Sequence, residues 1–433
     1  MTYEDMRILL IGNGFDLEHG LPTTYRDFLE FCKRVKVIYT ARVKVTPEIY
    51  KRDYLDSWET APYIKKVLFE AYKGRACKET IFFTFVKVST KNALLNEMYT
   101  YIDMNTWLEY FLEQCYGIGE NWIDFEAEIS RVIQALDHVR ARVEGGEPVS
   151  YTELNSKMLS RIWNLSGRSM EESFSNIQDI DKFAGYLNAE LERLIRALEI
   201  YIAEFVHGIE IEKKSADIEK LNPDCVLSFN YSDTYERVYD LEKKVDYDYI
   251  HGKADTGNDL ETCSLVLGID EYLDDGRKDR ELAFLSFKKY YQRIYKGTGN
   301  KYLEWIEIIK NSYENYRSQL DRQIDDQILQ QRKRTFSDKA QVSIISAPPY
   351  PEHTLYIFGH SLDVTDRDVL RMLICNDNVK TVIFYHRRNK NDKTQLGKLI
   401  KNLILLIGQD ELIRRTGGER RTIEFVPQEP HEN

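Results

Sequence analysis

The sequence is short of several things that would have assigned it quickly. It has six cysteines, and none form a C-x-x-C pair. Several lie among apolar residues, where a free thiol behaves as a small hydrophobe, so a disulfide scaffold or a thiolate zinc site is not expected. No apolar run is long enough to cross a bilayer. The first one is short and ends in glycine, so no secretory leader is read there. No internal repeat or low-complexity tract stands out. Net positive charge is also missing: the formal charge is −11 and the pI about 5.4. An acidic chain does not coat DNA or an anionic membrane through its overall field. Local basic stretches exist at Arg332–Arg334, His386–Lys393 and Arg414–Arg421, but they read as solvated faces or loops. Membrane and nucleic-acid partners are therefore not expected, and a reduced cytoplasmic setting is.

What remains is a 433-residue chain, 42% hydrophobic and 30% charged, enough for a sizeable core and roughly two to four domains. Its most informative stretch is Arg7–Tyr25. Five mostly apolar residues, Arg7–Ile11, read as a buried strand. Gly12 and Gly14 then allow a sharp turn and remove side chains that would hold a ligand away. A helix N-terminus follows, capped by Asp16 or Thr24. Strand, glycine turn and helix start aim backbone N–H groups at one place, which suits a phosphate. The third glycine of the dinucleotide fingerprint is absent, with Leu17 in its place.

Further along, helical periodicity marks Thr24–Val35, Asn105–Tyr116, Asn121–Val143 and Asp179–Ile211. The stretch Lys36–Thr100, including the apolar run Thr80–Val88, carries no clear pattern. Short apolar strands are expected at Asp224–Phe229, Asp248–Ile250, Ser264–Leu267, Thr354–Phe358, Thr381–Tyr385 and Thr422–Val426. Glu281–Arg334 reads as helical, and Ala347–Pro351 as a rigid connector. Helices are also expected at Asp366–Cys375 and Thr394–Ile407. Strands alternating with helices predict an α/β fold: an open, mostly parallel Rossmann-like sheet with large helical insertions. The expected division is a discontinuous nucleotide-binding domain (1–40, 221–275 and 341–433), a mainly helical insertion (41–220) and a second helical insertion (276–340).

Polar residues collect just after the strands: Asn13 and Asp16, then Asn230, then His251, then Gly359–Asp363. In an open parallel sheet these ends share one edge, where ligands bind. Turn chemistry calls for Gly, Asn, Asp or Ser but not for histidine, so one shared site is the preferred reading. His251 is a candidate general base, its ordinary pKa being close to neutral. Asn230 can orient a water or a ribose hydroxyl. His360 can pack or contact phosphate, and His19 lies beside the glycine turn. Asp363, Asp366 and Asp368 with Asp16 could hold a hard cation, although Asp366 and Asp368 also suit a helix start; no metal is expected.

Several motifs occur in a fixed order: Gly12-Asn13-Gly14-Phe15-Asp16 with Gly20-Leu21-Pro22-Thr23, Phe229-Asn230-Tyr231, His251-Gly252 and Gly359-His360-Ser361-Leu362-Asp363. Together with Asn121–Glu126, they resemble the AbiH-like bacteriophage abortive-infection family. The same motifs are distantly similar to the sirtuin-like fold and its NAD-hydrolysing defence members. That resemblance implies catalytic roles for Asn230 and His251, with Glu236 at the position of a later glutamate. It implies ligand contacts from Gly12, Asn13, Gly14, Phe15, Asp16, Thr23, Gly252, Gly359, His360, Ser361 and Asp363. Asp16 stands where sirtuins have serine, Ser232 replaces an aspartate, and the paired zinc cysteines are absent, which speaks against a protein deacylase. The resulting expectation is an anti-phage effector hydrolysing NAD+ or a related nucleotide, with no required cofactor. A phage-derived trigger and a homo-oligomer are compatible with it. The alternatives are a metal-dependent nuclease or phosphodiesterase using Asp16, Asp363 and Asp366, and a non-catalytic nucleotide sensor.

Overall fold

A run of apolar residues with no polar alternation must be buried on both faces, and Arg7–Ile11 meets that condition as β1, with Ile8 to Ile11 all buried. The computed structural model describes residues 5–40, 46–76, 91–117, 124–154, 156–271, 282, 284–334, 348–387, 389, 391–418 and 421–429. Besides β1, the strands are β2 (Val149–Ser150), β3 (Ser173–Phe174), β4 (Cys225–Ser228), β5 (Asp246–Tyr249), β6 (His353–Phe358), β7 (Val379–Tyr385) and β8 (Ile423–Pro427). Six of them form one sheet in the order β5-β4-β1-β6-β7-β8. Every pairing in it is parallel. In chain order this is the Rossmann arrangement, with the direction of winding reversing at β1. β2 and β3 form a separate antiparallel pair within the helical insertion.

Two sheet-face cores and one helical core hold the chain together. Ile8, Leu10, Leu227, Leu355, Val369, Leu373 and Leu403 pack one face of the sheet, and Leu9, Ile11, Phe15, Val226, Phe358 and Phe384 the other. The third core belongs to the helices. The helix Tyr25–Thr40 sends Phe28, Phe31, Cys32, Val35 and Ile38 into it, alongside the helices Thr106–Gly117, Phe125–Glu144 and Ile177–Ile200. Cys263–Phe287 also contributes there through Leu265, Leu267 and Phe287.

The expected parallel α/β sheet with helical insertions is present. Ser264–Leu267 forms no strand: it is buried, but Leu267 N–H donates to the Gln292 side chain and Val266 N–H to the His251 carbonyl. Apolar content predicted its burial; its partners are a side chain and a loop rather than a ladder. Glu281–Arg334 is divided, with helices at Lys289–Lys296 and Tyr302–Arg334 separated by Gly297 in the left-handed region. Thr80–Val88 and Asn121–Ile123 lie outside the described residues.

The switch point between β1 and β6 is closed by backbone. Gly12 N–H donates to the Phe358 carbonyl at 3.1 Å and Gly14 N–H to the Gly359 carbonyl at 2.8 Å. A Cβ on Gly12 would lie 2.7 Å from His360 Cα, and one on Gly14 2.8 Å from Gly359 Cα. Gly359 has φ +69°, and a Cβ there would reach within 2.2 Å of the Phe15 nitrogen. Gly359→Ala combines a left-handed backbone with that overlap, so it is expected to cost at least about 2 kcal/mol. Urea unfolding of the variant checks this through a lower midpoint at unchanged slope.

Candidate functional site

The site begins with caps. Asp124 accepts from Ala127 N–H at 3.1 Å and starts the helix Phe125–Glu144, which puts Glu126 in its first turn. Asp363 accepts from Thr365 N–H at 3.1 Å and caps the short turn Val364–Asp366, which delivers Asp366 to the start of the helix Arg367–Ile374. His251 follows β5 and His360 follows β6, both at the carboxyl edge of the sheet.

These groups converge. His251 Nε2 lies 3.5 Å from Asp366 Oδ1, and His360 Nε2 lies 3.4 Å from Asp366 Oδ2. Phe229, just past β4, meets both imidazoles edge-on, with ring centroids 4.4 Å from His360 and 5.6 Å from His251. Lys289 Nζ lies 3.4 Å from Asp366 Oδ1 and 2.7 Å from Glu126 Oε2. One carboxylate thus joins two strand-end histidines and a buried ammonium that also meets the helical insertion.

The electrostatics follow from burial and these partners. Burial would raise the Asp366 carboxyl; Lys289 and the two histidines outweigh it and hold the group well below the usual carboxylate range. Burial pushes Glu126 up to about 7, with Lys289 opposing and Asp366 adding. Asp270 is likewise pushed up to about 7, by burial first and with Asp366 and Asp368 adding to it, against Lys289. Burial lowers His251 below the ordinary histidine value despite Asp366, so the ring is neutral at pH 7. Its Nδ1 is buried and has no hydrogen-bond partner among the described residues.

His251, Asp366 and Lys289 line a cleft of about 720 Å³, together with Asp270, Arg293, Arg367 and Arg371. That volume suits a nucleotide-sized ligand. Among the described lining residues, His251 is the one member of the catalytic and ligand-contact set expected from sequence, and Asp366 and Asp368, named there for a cation, line the cleft as well.

The other expected residues sit around this centre. Asn230 Nδ2 donates to the Gly12 carbonyl at 3.0 Å, tying the end of β4 to the glycine turn. The N–H groups of Gly12, Gly14 and Phe15 all donate to backbone carbonyls. Asn13 accepts from Thr23 Oγ1 at 2.6 Å near the surface. Phe15 is core, against Phe358 and Tyr239. Gly252 has φ +82°, and a Cβ there would lie 2.3 Å from the Ser264 carbonyl oxygen. The exposed Ser361 accepts at its carbonyl from Asn402. His19 is bonded through both nitrogens, to the Phe15 carbonyl and the Tyr239 hydroxyl, each at 2.7 Å.

Asp16 is 1% exposed. Its Oδ2 accepts from Ser232 Oγ at 2.6 Å, which in turn accepts from Thr234 Oγ1 at 3.0 Å. Burial, partly offset by these hydroxyls, raises it to about 6. The charged form therefore opposes folding above the unfolded value near 4, and fully so above 6. Asp16→Asn keeps an acceptor for Ser232 and removes that opposition. It is expected to match the parent near pH 4 and to gain up to about 3 kcal/mol on it by pH 8. Unfolding curves at both pH values measure the difference.

The four carboxylates considered for a cation, Asp16, Asp363, Asp366 and Asp368, thus have separate partners. Among the described residues, no group of three or more His, Cys, Asp or Glu side chains is arranged to hold a metal ion. Sequence reasoning missed Lys289, Glu126 and Asp270 as site residues. Lys288-Lys289-Tyr290-Tyr291 looks like a solvated helix face, and nothing in that pattern marks one lysine for burial.

Also among the described residues, no helix is long and apolar enough to cross a membrane. A family model described as bacteriophage abortive infection AbiH matches residues 8–386. No curated protein matches the chain, and no solved structure matches it.

Proposed function

This chain belongs to the bacteriophage abortive infection AbiH family and so has a role in anti-phage abortive infection; from that premise we propose that it acts by hydrolysing NAD+ or a related nucleotide in the His251 cleft. The observation that carries the reading is the pairing of a neutral, buried imidazole with an ionised carboxylate at the floor of a nucleotide-sized cleft. Asp366 favours the proton on His251 Nε2 and leaves the lone pair on Nδ1. Nδ1 takes a proton from water, the water oxygen bonds to ribose C1′, and the N-glycosidic bond breaks. Nicotinamide leaves as a neutral base, so the step needs no strong acid. Positive charge develops on the sugar, and the nearby Asp366 carboxylate favours it. Asn230 acts indirectly, by fixing the glycine turn against β4.

Two measurements test this together. Purified protein is incubated with NAD+ and released nicotinamide is quantified, and NAD+ is followed by mass spectrometry in expressing cells before and after infection. The expected result is release of nicotinamide and a fall in cellular NAD+ once phage enters. Intact NAD+ in cells that are still protected would overturn the reading.

A further inference from the structure

The Gly12–Gly14 turn is the place where a Rossmann sheet ordinarily receives phosphate, and here both of its glycine amides are occupied. Gly12, Gly14 and Phe15 donate to Phe358, Gly359 and Gly12 carbonyls. The helix that follows, Asn13–Glu18, is six residues long, and its turn is pressed against Gly359–His360. A phosphate-bearing ligand of the His251 cleft needs another partner.

The charges lining the cleft indicate where that partner is. Asp368 is paired with Arg293. Glu271 is paired with Lys288 at 2.7 Å. Asp366 is held by Lys289, His251 and His360. Once these pairs are set aside, Arg367, Arg371 and Asp270 remain. Asp270 carries its proton over much of the range up to about 7. Among the described residues, neither Arg367 nor Arg371 forms an ion pair. They are four apart on the helix Arg367–Ile374, so they share a face. Val369, Leu370, Leu373 and Ile374 are buried in the sheet core and hold the helix in place. Two unspent guanidiniums on a rigid element, beside the cleft that holds His251, form a fork for phosphate oxygens.

We propose that Arg367 and Arg371 bind the phosphate groups of the cleft's ligand, a nucleoside diphosphate or dinucleotide, in place of the glycine turn. The cleft's nucleotide chemistry rests on the reading above; the phosphate fork itself rests on the charge pattern and the occupied amides. The arginines touch the ligand away from the bond that breaks, so they contribute binding rather than chemistry.

The test is calorimetric titration of the full chain with ADP-ribose and with adenosine, at two salt concentrations, for the parent and for Arg367→Gln/Arg371→Gln. Both residues are exposed, so the double variant is expected to fold, which its circular dichroism and melting temperature check. The expected result is binding of ADP-ribose that weakens with salt, no comparable binding of adenosine, and at least about a 10-fold loss of ADP-ribose affinity in the double variant. Equal binding of the two ligands, or unchanged affinity in the double variant, would overturn the proposal. The two readings separate cleanly. Arginine-dependent ADP-ribose binding without turnover of NAD+ removes the hydrolysis and keeps the phosphate fork. Turnover with a KM indifferent to both arginines removes the fork and keeps the hydrolysis.

Discussion

His251→Gln is expected to lower NAD+ turnover by roughly 10²- to 10⁴-fold, the usual contribution of a positioned general base. The fold should survive, because the ring lines the cleft and its Nδ1 has no partner among the described residues to lose. The pH profile adds a readout that a packing role would not move. Burial lowers His251, so its base form is complete at neutral pH. Activity should therefore hold through pH 6.5 and fall only below the ordinary histidine value. Asp366→Asn should move that acidic limb. It removes the anion that favours the imidazolium, so the limb shifts further to acid while the maximal rate drops. Full turnover in His251→Gln, or an acidic limb unmoved in Asp366→Asn, would remove the dyad from the mechanism. Steady-state nicotinamide release between pH 5 and 8 measures both.

Much of this arrangement is legible in the residues. The apolar runs at Arg7–Ile11, Asp224–Phe229 and Thr354–Phe358 mark three adjacent strands, because a parallel strand buried on two faces leaves no room for polar alternation. The histidines after two strands stood out because turns do not need them, and the fold brings both to one carboxylate. The glycines signal a close approach, and in the structure backbone makes it. Gly12, Gly14 and Gly359 are required by one another's backbones, and a ligand would require the same residue type. Asp366 stands out in the sequence as a candidate cation ligand and as an acid suited to a helix start; it does sit at a helix start, and its partners are two histidines and a lysine. Lys289 and Glu126 could not be found, since their meeting depends on how two separate insertions dock on the sheet edge. Asn230 follows β4 as its position in the sequence suggests, and its Nδ2 donates to the Gly12 carbonyl.

Lys289→Met should have the largest effect on stability. Lys289 is 5% exposed, and its ammonium lies between Glu126 Oε2 at 2.7 Å and Asp366 Oδ1 at 3.4 Å. Methionine preserves most of the stem's packing and removes only the charge. What remains is two buried carboxylates, with Asp270 nearby and no cation between them. Removing one partner from such a pair costs about 3–5 kcal/mol, a large share of the 5–15 kcal/mol that keeps a domain folded. The dependence on pH identifies the cause. In the parent, Asp366 has a depressed folded pKa, so its stabilisation is present at neutral pH and lost only as pH falls through that low value. In the variant its principal cation is gone, burial prevails, and the folded pKa rises. The charged form then opposes folding at pH 7 and is relieved by protonation as the solution is acidified. The gap between parent and variant should therefore shrink from pH 7 to pH 5, and Glu126→Gln added to Lys289→Met should recover part of the loss at pH 7. Urea unfolding at the two pH values decides it. A gap of the same size at both would mean that lost packing, not uncompensated charge, sets the cost. In that case Lys289 would not be what keeps Asp366 ionised beside His251.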